Sequence, residues 1–337
     1  MSTLIDGPYF EDFNVGDEFS APAITITTGM AASYQAISAD RLRLPLDAEL
    51  SRQVTGNDAP LAHPSLVLNI VNGQTTYASQ HVKGNLFYRG LIHRCPVFIG
   101  DTLTTVTKVV GLKQNKIKPG RPGTGMVALE METRNQHNDV VMHYWRCPMI
   151  PTRDPDADTG RNDDFEWMPK SFEDEELANA MPSGWDLSAM ASPYTGLKPL
   201  DLNTDTDYEI AGKDTVTCAP ELVRLTLNIA YAHSDASRSY LGKRLVYGGH
   251  TIALAHQALT RAFPAMVGII AWESCDHLGP VLEEDIIGTT FSINNIRDFS
   301  ARGKIYEVAA KCTASRPENE QLKSQEVLDW RPYVWSL

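Results

Sequence analysis

The stretch DAPLAHPSLVLNIVNGQTT (residues 58–76) and the stretch KRLVYGGHTIALAHQALT (residues 243–260) decide the fold, because they are two copies of one element. Each copy begins with an apolar approach, turns at small or polar residues and continues with apolar residues at helical spacing. His63 and Tyr247 occupy the same place in the two copies, and we call the separation between these two positions the repeat offset. Self-similarity of this kind predicts a chain built from two similar halves.

A second pair of segments repeats at the same offset. GLIHRCPVFIGDT (residues 90–102) and SCDHLGPVLEEDI (residues 274–286) share His, Pro, Val and Asp in register. In each half an opening strand, a short helix and a polar loop precede the central helix, and three strand-like segments with alternating apolar residues follow it. We therefore predict an α+β fold in which each half wraps a long antiparallel sheet around one central helix.

The connection between the halves differs in composition from both of them. Residues 151–176 hold ten acidic residues against three basic ones, and the segment is rich in Pro, Asp and Gly with weak periodicity. We interpret residues 151–199 as an acidic, extended linker. The predicted units are then an N-terminal one over residues 1–150 and a C-terminal one over residues 200–337.

Composition excludes several classes of protein. The 337-residue chain has a formal net charge of −12, which argues against a nucleic-acid partner. Its five cysteines are scattered and form no CxxC pair, which is typical of a reducing compartment. The N-terminus resembles no secretory signal, and no apolar run approaches the ~18 residues that span a bilayer. We therefore expect a cytoplasmic protein without a membrane partner, and no spacing of the HExxH type indicates a metal.

With these residues in this order, the chain resembles the MaoC-like (hydratase 2) family of the hot-dog fold. The segment NIAYAHSD (residues 228–235) matches the family's H-x-D motif at His233 and Asp235, although Asn228 stands where the family has an acidic residue. The turn at Tyr247 and Gly248 matches the start of the family's active-site helix. Openings of the FEDF type, the stretch GDTLTTVTKVVGLKQNK (residues 100–116) and the turn VYGGH are similar to the double hot-dog branch that acts on mesaconyl-CoA.

This resemblance implies reversible hydration of a 2-enoyl-CoA, a reaction in which negative charge develops on the thioester oxygen. Backbone N–H groups at a helix start stabilise such an oxyanion, and Gly248 and Gly249 allow close approach of the thioester to the backbone. His233 is the expected base, because imidazole titrates near neutral pH. Asn228 can orient water but cannot supply a proton as a carboxylic acid does. Either one water supplies both groups under the control of His233, or a second acid such as Asp235 takes part.

The first half retains Asp40, but Pro45 stands where the histidine of the motif belongs. We therefore predict that the first half carries a vestigial site, with Asp40 supporting the fold. His93 and His277 recur in both halves, which favours a structural role for them.

The basic pair before the second central helix has no counterpart in the first half. At the repeat offset, Ala59 and Pro60 correspond to Lys243 and Arg244. Arg244 is therefore a candidate for the carboxylate of a dicarboxylic substrate, with a coenzyme A phosphate as its alternative ligand; Arg238 is the second candidate.

The sequence thus predicts a hydro-lyase acting on a short branched or dicarboxylic 2-enoyl-CoA similar to mesaconyl-CoA, with coenzyme A as part of the substrate and no separate cofactor. Two alternatives stay open: a hot-dog acyl-CoA thioesterase, and an acyl-CoA-binding protein without catalysis. A homodimer or a higher homo-oligomer is expected.

Overall fold

A computed structural model describes residues 2–117, 120–190, 200–318 and 321–337. One antiparallel sheet runs through both halves, and each half wraps its own part of that sheet around a buried helix. The described helices are α1 (Thr28–Ser38), α2 (Arg43–Leu46), α3 (Ala48–Thr55), α4 (Pro64–Gln74), α5 (Asp174–Ala180), α6 (Ala219–Leu225), α7 (Tyr231–Ser234) and α8 (Gly248–Ala262). The strands are β1 (Glu18–Ser20), β2 (Ile24–Thr25), β3 (Gly84–His93), β4 (Thr102–Gln114), β5 (Thr124–Arg134), β6 (Val140–Pro151), β7 (Tyr208–Thr215), β8 (Met266–His277), β9 (Ile286–Asp298), β10 (Lys304–Glu318) and β11 (Gln321–Ser336).

The strand order is β1-β4-β5-β6-β3-β8-β11-β10-β9-β7, with β2 paired to β4. The two halves join edge to edge through β3 and β8, where Tyr88 pairs with Cys275 and Leu91 pairs with Trp272. Tyr88 and Trp272 are separated by the repeat offset, as are Leu91 and Cys275, so the pairing is self-complementary. This is the relation that a pseudo-two-fold axis between equivalent halves requires.

The two central helices confirm the predicted repeat. His63 is the N-cap residue of α4 and Tyr247 is the N-cap residue of α8, so Asn69 and Ala253 lie at equivalent positions. Nearly every residue of both helices is buried, because the concave face of the sheet and the opposite half surround them. In the second half, the short helix predicted before the central one is interrupted: α6 ends at Leu225 and α7 begins at Tyr231.

The connection between the halves is anchored to the protein over its described part. Residues 152–173 form neither helix nor strand, as the composition predicted, and α5 follows them. Phe172, Leu177, Met181 and Met190 are nevertheless buried in a hydrophobic cluster that includes residues of both halves. The segment therefore covers part of the sheet, whereas a solvated spacer would leave it bare; residues 191–199 lie outside the described part.

Within the described residues, no helix is long and apolar enough to cross a membrane. The prediction of cytoplasmic localisation stays a prediction.

Candidate active site

The candidate active site is a pocket of about 260 Å³ formed by both halves. The second half contributes the loop with Asn228 and His233 and the start of α8. The first half contributes the C-terminal end of α4 and the strands β3 and β6. Its polar lining includes Asn72, Tyr88, Arg146, Asn228, His233, Tyr247 and His277.

Helix α4 of the first half positions the loop that carries His233. A Cβ atom on Gly73 would lie 1.8 Å from the carbonyl oxygen of Thr226, so only glycine permits this approach of helix and loop. Thr76 Oγ1 accepts a hydrogen bond from the N–H of Ile229, and the Gln80 carbonyl accepts one from the N–H of Tyr231. The loop that carries His233 in one half is therefore built on the end of α4 and the residues that follow it in the other half.

His233 is held in one orientation by its own half. Its Nδ1 lies 3.0 Å from the carbonyl oxygen of Leu245, and because a carbonyl only accepts, Nδ1 carries the proton. Nε2 is then the nitrogen with the free lone pair. Burial lowers the pKa of His233 below its ordinary value, against the opposing effect of the Leu245 carbonyl. His233 is therefore a neutral base at pH 7.

The start of α8 places backbone donors at the pocket. Gly248 and Gly249 are the first two residues of the helix, whose first-turn N–H groups have no carbonyl partner within it. Gly248 lines the pocket, whereas Gly249 does not belong to the lining. The structure shows why both positions are glycine, which the sequence did not reveal. A Cβ on Gly248 would lie 2.5 Å from the His277 ring, and one on Gly249 would lie 2.1 Å from Asn69 Oδ1. Neighbouring side chains, in addition to any substrate, therefore require glycine at both positions.

Asn228 lines the pocket as expected, and its Oδ1 accepts a hydrogen bond from the N–H of Ala230. Its amide nitrogen keeps its donors for water or substrate. Asp235 is placed differently: its carboxylate accepts hydrogen bonds from the backbone and the hydroxyl of Ser237, and it does not belong to the pocket lining. Among the described residues, the lining contains neither Asp nor Glu.

The two arginines suggested by the sequence lie outside this lining. Arg244 forms an ion pair of 2.6 Å with Glu283 in a separate surface recess, and it does not line the pocket that contains His233. Arg238 stacks on the ring of Tyr231 and lies 3.7 Å from the Asp6 carboxylate. Its recess adjoins the pocket, because Val82, Lys83 and Ala232 line both.

The first half carries a smaller counterpart of the pocket, of about 60 Å³. Leu61, Pro64, His93 and Pro96 line it at positions equivalent to Leu245, Gly248, His277 and Pro280 of the larger pocket. The connecting segment closes this counterpart with Ala180, Pro182 and Trp185.

The helix start in the first half lacks the donors that α8 offers. Pro64 has no N–H, and the N–H of Ser65 is used by His63 Nδ1 at 3.1 Å. An oxyanion therefore finds no free backbone donor at these two positions, which supports the interpretation of a vestigial site.

Asp40 is buried and lies between two histidines, one from each half. Its carboxylate is 2.6 Å from His256 Nδ1 and 3.1 Å from His63 Nε2. Burial alone would raise the pKa of Asp40, but the two histidines more than offset this and lower it. Because His63 Nδ1 accepts from Ser65, its Nε2 carries the proton and offers no lone pair to a metal ion. His63 Nε2 faces Asp40 at ion-pair distance without hydrogen-bond geometry, whereas His256 Nδ1 forms a hydrogen bond to Asp40. We therefore interpret the trio, whose ligand-type atoms lie within 4.8 Å of one another, as an electrostatic cluster that joins the two halves.

Sequence reasoning missed several pocket residues, among them Asn72, Tyr88 and Arg146. At the repeat offset Asn72 corresponds to His256. By strand pairing Arg146 corresponds to Pro332, since Arg146 pairs with Tyr88 and Pro332 pairs with Trp272. A signal existed for Arg146, because it is a charged residue in the apolar strand VVMHYWRCPMI (residues 140–150). Its orientation into the pocket depends on the register of β6, which the sequence alone did not fix.

Comparisons with known proteins agree with this geometry. A family model described as mesaconyl-CoA hydratase matches residues 1–262. A curated β-methylmalyl-CoA dehydratase from Chloroflexus aurantiacus is 30% identical over 302 residues, which cover 83% of this chain and 80% of that protein.

Two solved structures share the architecture over nearly their whole length. A conserved hypothetical protein from Mycobacterium tuberculosis, described as having a double hot-dog fold, is 38% identical with a TM-score of 0.86; the match covers 98% of this chain and 99% of that one. A protein described as a MaoC-domain dehydratase from Chloroflexus aurantiacus is 26% identical with a TM-score of 0.86 and coverage of 99% and 98%.

Fold and pocket together define a double hot-dog protein of the MaoC-like class with one open site. The chain belongs to the mesaconyl-CoA hydratase family. The predicted family resemblance, the α+β double hot-dog fold and the assignment as a hydro-lyase for enoyl-CoA hydration and dehydration are thereby confirmed.

The buried histidines also make stability dependent on pH. Burial lowers the pKa of His93, His250 and His277 to about 4. Since the unfolded chain protonates these residues near pH 6.5 and the folded protein does not, their stabilising effect is present above pH 6.5 and is lost toward pH 4. We expect the free energy of unfolding to fall by up to about 1.4 kcal/mol per pH unit for each histidine in that window. Urea denaturation at pH 7.5 and pH 5.0 checks this; equal midpoints and slopes would contradict it.

Proposed function

We propose that the pocket around His233 catalyses the reversible addition of water to a short, branched dicarboxylic 2-enoyl-CoA, with mesaconyl-CoA as the fitting example. The observation that carries the proposal is the pairing of one neutral, oriented imidazole with free backbone N–H groups at the start of α8. These are the two groups that hydration of an enoyl thioester requires: a base for water and a site for the developing oxyanion.

In the proposed mechanism His233 Nε2 removes a proton from water while the oxygen of that water bonds to the β-carbon. The electrons of the double bond move to the thioester oxygen, where the N–H groups at the start of α8, beginning with that of Gly248, stabilise the enolate. The His233 imidazolium then returns its proton to the α-carbon, so one water supplies both added groups. The position of Asp235 outside the pocket and the amide of Asn228 favour this single-base route over a second carboxylic acid.

Two cations at the junction of the pocket and its adjoining recess suit the anionic part of coenzyme A. Lys83 lines both cavities, and Arg238 lines the recess. We include both as contacts for the coenzyme A phosphates. This gives Arg238 the role of a substrate-binding residue away from the reacting carbons.

Loss of the enoyl-thioester absorbance band tests the function, with mesaconyl-CoA and crotonyl-CoA as substrates for the purified protein. Hydration removes the conjugated double bond and leaves the thioester intact. Release of free coenzyme A thiol at the same rate would instead identify a thioesterase. Tight binding of either ester without turnover would identify a binding protein.

The protonation state of His233 predicts the pH profile of this reaction. Because burial lowers the pKa of His233, the base stays unprotonated throughout the neutral range. We expect kcat/KM for hydration to be constant above pH 7 and to fall on the acidic side with a midpoint below pH 6.5. Initial rates between pH 4.5 and 8.5, corrected for the folded fraction at each pH, check this; a midpoint above 7 would contradict it.

A further inference from the structure

Arg146 is a buried cation inside the proposed active site. It lies on β6 with 5% of its surface exposed and lines the same pocket as His233 and Asn228. Its three hydrogen bonds all leave from Nη2, to the carbonyl and hydroxyl of Thr75 and to the hydroxyl of Ser79, at 2.7–3.1 Å. Nε is buried and has no hydrogen-bond partner among the described residues.

Nothing in the described lining of the pocket neutralises this charge. The lining holds neither Asp nor Glu, and the two buried carboxylates of the described chain are engaged elsewhere: Asp40 with His256, and Asp285 with Arg316. A buried guanidinium without a countercharge is unfavourable by several kcal/mol unless a ligand supplies the charge. A protein that needed only to fix the end of α4 could do so with a neutral donor.

The two halves differ at this position in a way that follows function. The structurally equivalent residue is Pro332, because it pairs with Trp272 of β8 as Arg146 pairs with Tyr88 of β3; it is buried and carries no charge. The cation therefore occurs only at the larger pocket, which contains His233 and the N–H groups at the start of α8. A guanidinium offers five N–H donors in a planar fork, which matches a carboxylate and is used only in part by Thr75 and Ser79.

We propose that Arg146 binds the free carboxylate of a dicarboxylic acyl-CoA and so selects it over a monocarboxylic one. This rests on the proposed function for the identity of the pocket, and it replaces Arg244 as the residue that holds the substrate carboxylate. Arg146 contacts the substrate group that does not react, and it orients the double bond toward His233.

The test uses the full chain with Arg146→Met and Arg146→Lys, and with Arg244→Met for comparison. For Arg146→Met we expect kcat/KM for mesaconyl-CoA to fall about 100-fold, equivalent to about 2.7 kcal/mol, and kcat/KM for crotonyl-CoA to change less than about threefold. Arg146→Lys keeps the charge without the fork and should recover part of the loss. Equal losses for both substrates would overturn the proposal, and so would a mesaconyl-specific loss at Arg244 instead of Arg146.

Binding of two unreactive esters separates this proposal from the proposed function. Succinyl-CoA and butyryl-CoA have acyl chains of four carbons and differ by one carboxylate. The wild-type protein should bind succinyl-CoA at least about tenfold more tightly, and Arg146→Met should lose this preference. If the wild-type protein hydrates no enoyl-CoA, the proposed function fails while the binding preference still tests Arg146. If Arg146→Met does not fold, the wild-type comparison decides, and equal affinities for the two esters would overturn the proposal.

Discussion

Replacing His233 by alanine is expected to lower kcat for hydration by ~10²–10⁴, the usual contribution of a positioned acid–base group. In the proposed mechanism the whole proton transfer falls on this residue, because Asn228 is an amide and Asp235 lies outside the pocket lining. Among the described lining residues, His277 is the other imidazole. The expected loss is therefore in kcat, with KM changed little, since the thioester still binds at the start of α8.

His277 is the matched comparison, because it is a second buried histidine of the same pocket. Its ring packs on Gly248, and burial lowers its pKa to about 4. Its role is to shape the helix start, so His277→Gln should lower kcat much less than His233→Ala. Steady-state kinetics on both variants, with circular dichroism to verify folding, decide between them. A full loss at His277 with activity retained at His233 would move the base to His277.

The fold was predictable because its signals are repeated along the chain. The repeat offset between His63 and Tyr247 was enough to pair α4 with α8, and alternation in the strands was enough to indicate sheets around them. Those signals are local in each half. The joining of both sheets through β3 and β8 depends on a contact between halves. For this contact the sequence shows only that the two halves are repeats of each other.

The site was predictable only where it lies in one segment. His233, Asn228 and the start of α8 could be found, because the loop and the helix of one half are near each other in sequence. Arg146 could not be assigned, since it comes from the opposite half and reaches the pocket through the packing of β6 on the end of α4. The environment of Arg244 was hidden for a related reason: its partner Glu283 is 39 residues away, and the two form an ion pair in a separate surface recess.

Replacing Asp40 by alanine is expected to have the second large effect, on the free energy of unfolding instead of on catalysis. The Asp40 side chain is fully enclosed, and it accepts hydrogen bonds from the backbone N–H of Leu42 and from His256 of the other half. Asp40→Ala leaves two buried histidines without their shared anion and one backbone donor without its acceptor. Removing one partner of such a buried network costs about 3–5 kcal/mol. We expect the free energy of unfolding to fall by about that amount.

The same variant tests whether the first half is vestigial. If Asp40 only supports the fold, Asp40→Asn, which preserves the shape and one acceptor oxygen, should retain nearly full kcat per folded molecule while losing a smaller part of the stability. Denaturant titration and hydration assays on the same samples separate the two readouts. A kcat loss comparable with that of His233→Ala in a fully folded Asp40→Asn protein would show that the Asp40 network takes part in catalysis. Since Asp40 touches His256 of α8, and α8 begins at Gly248, coupling between the halves would then run along this one helix.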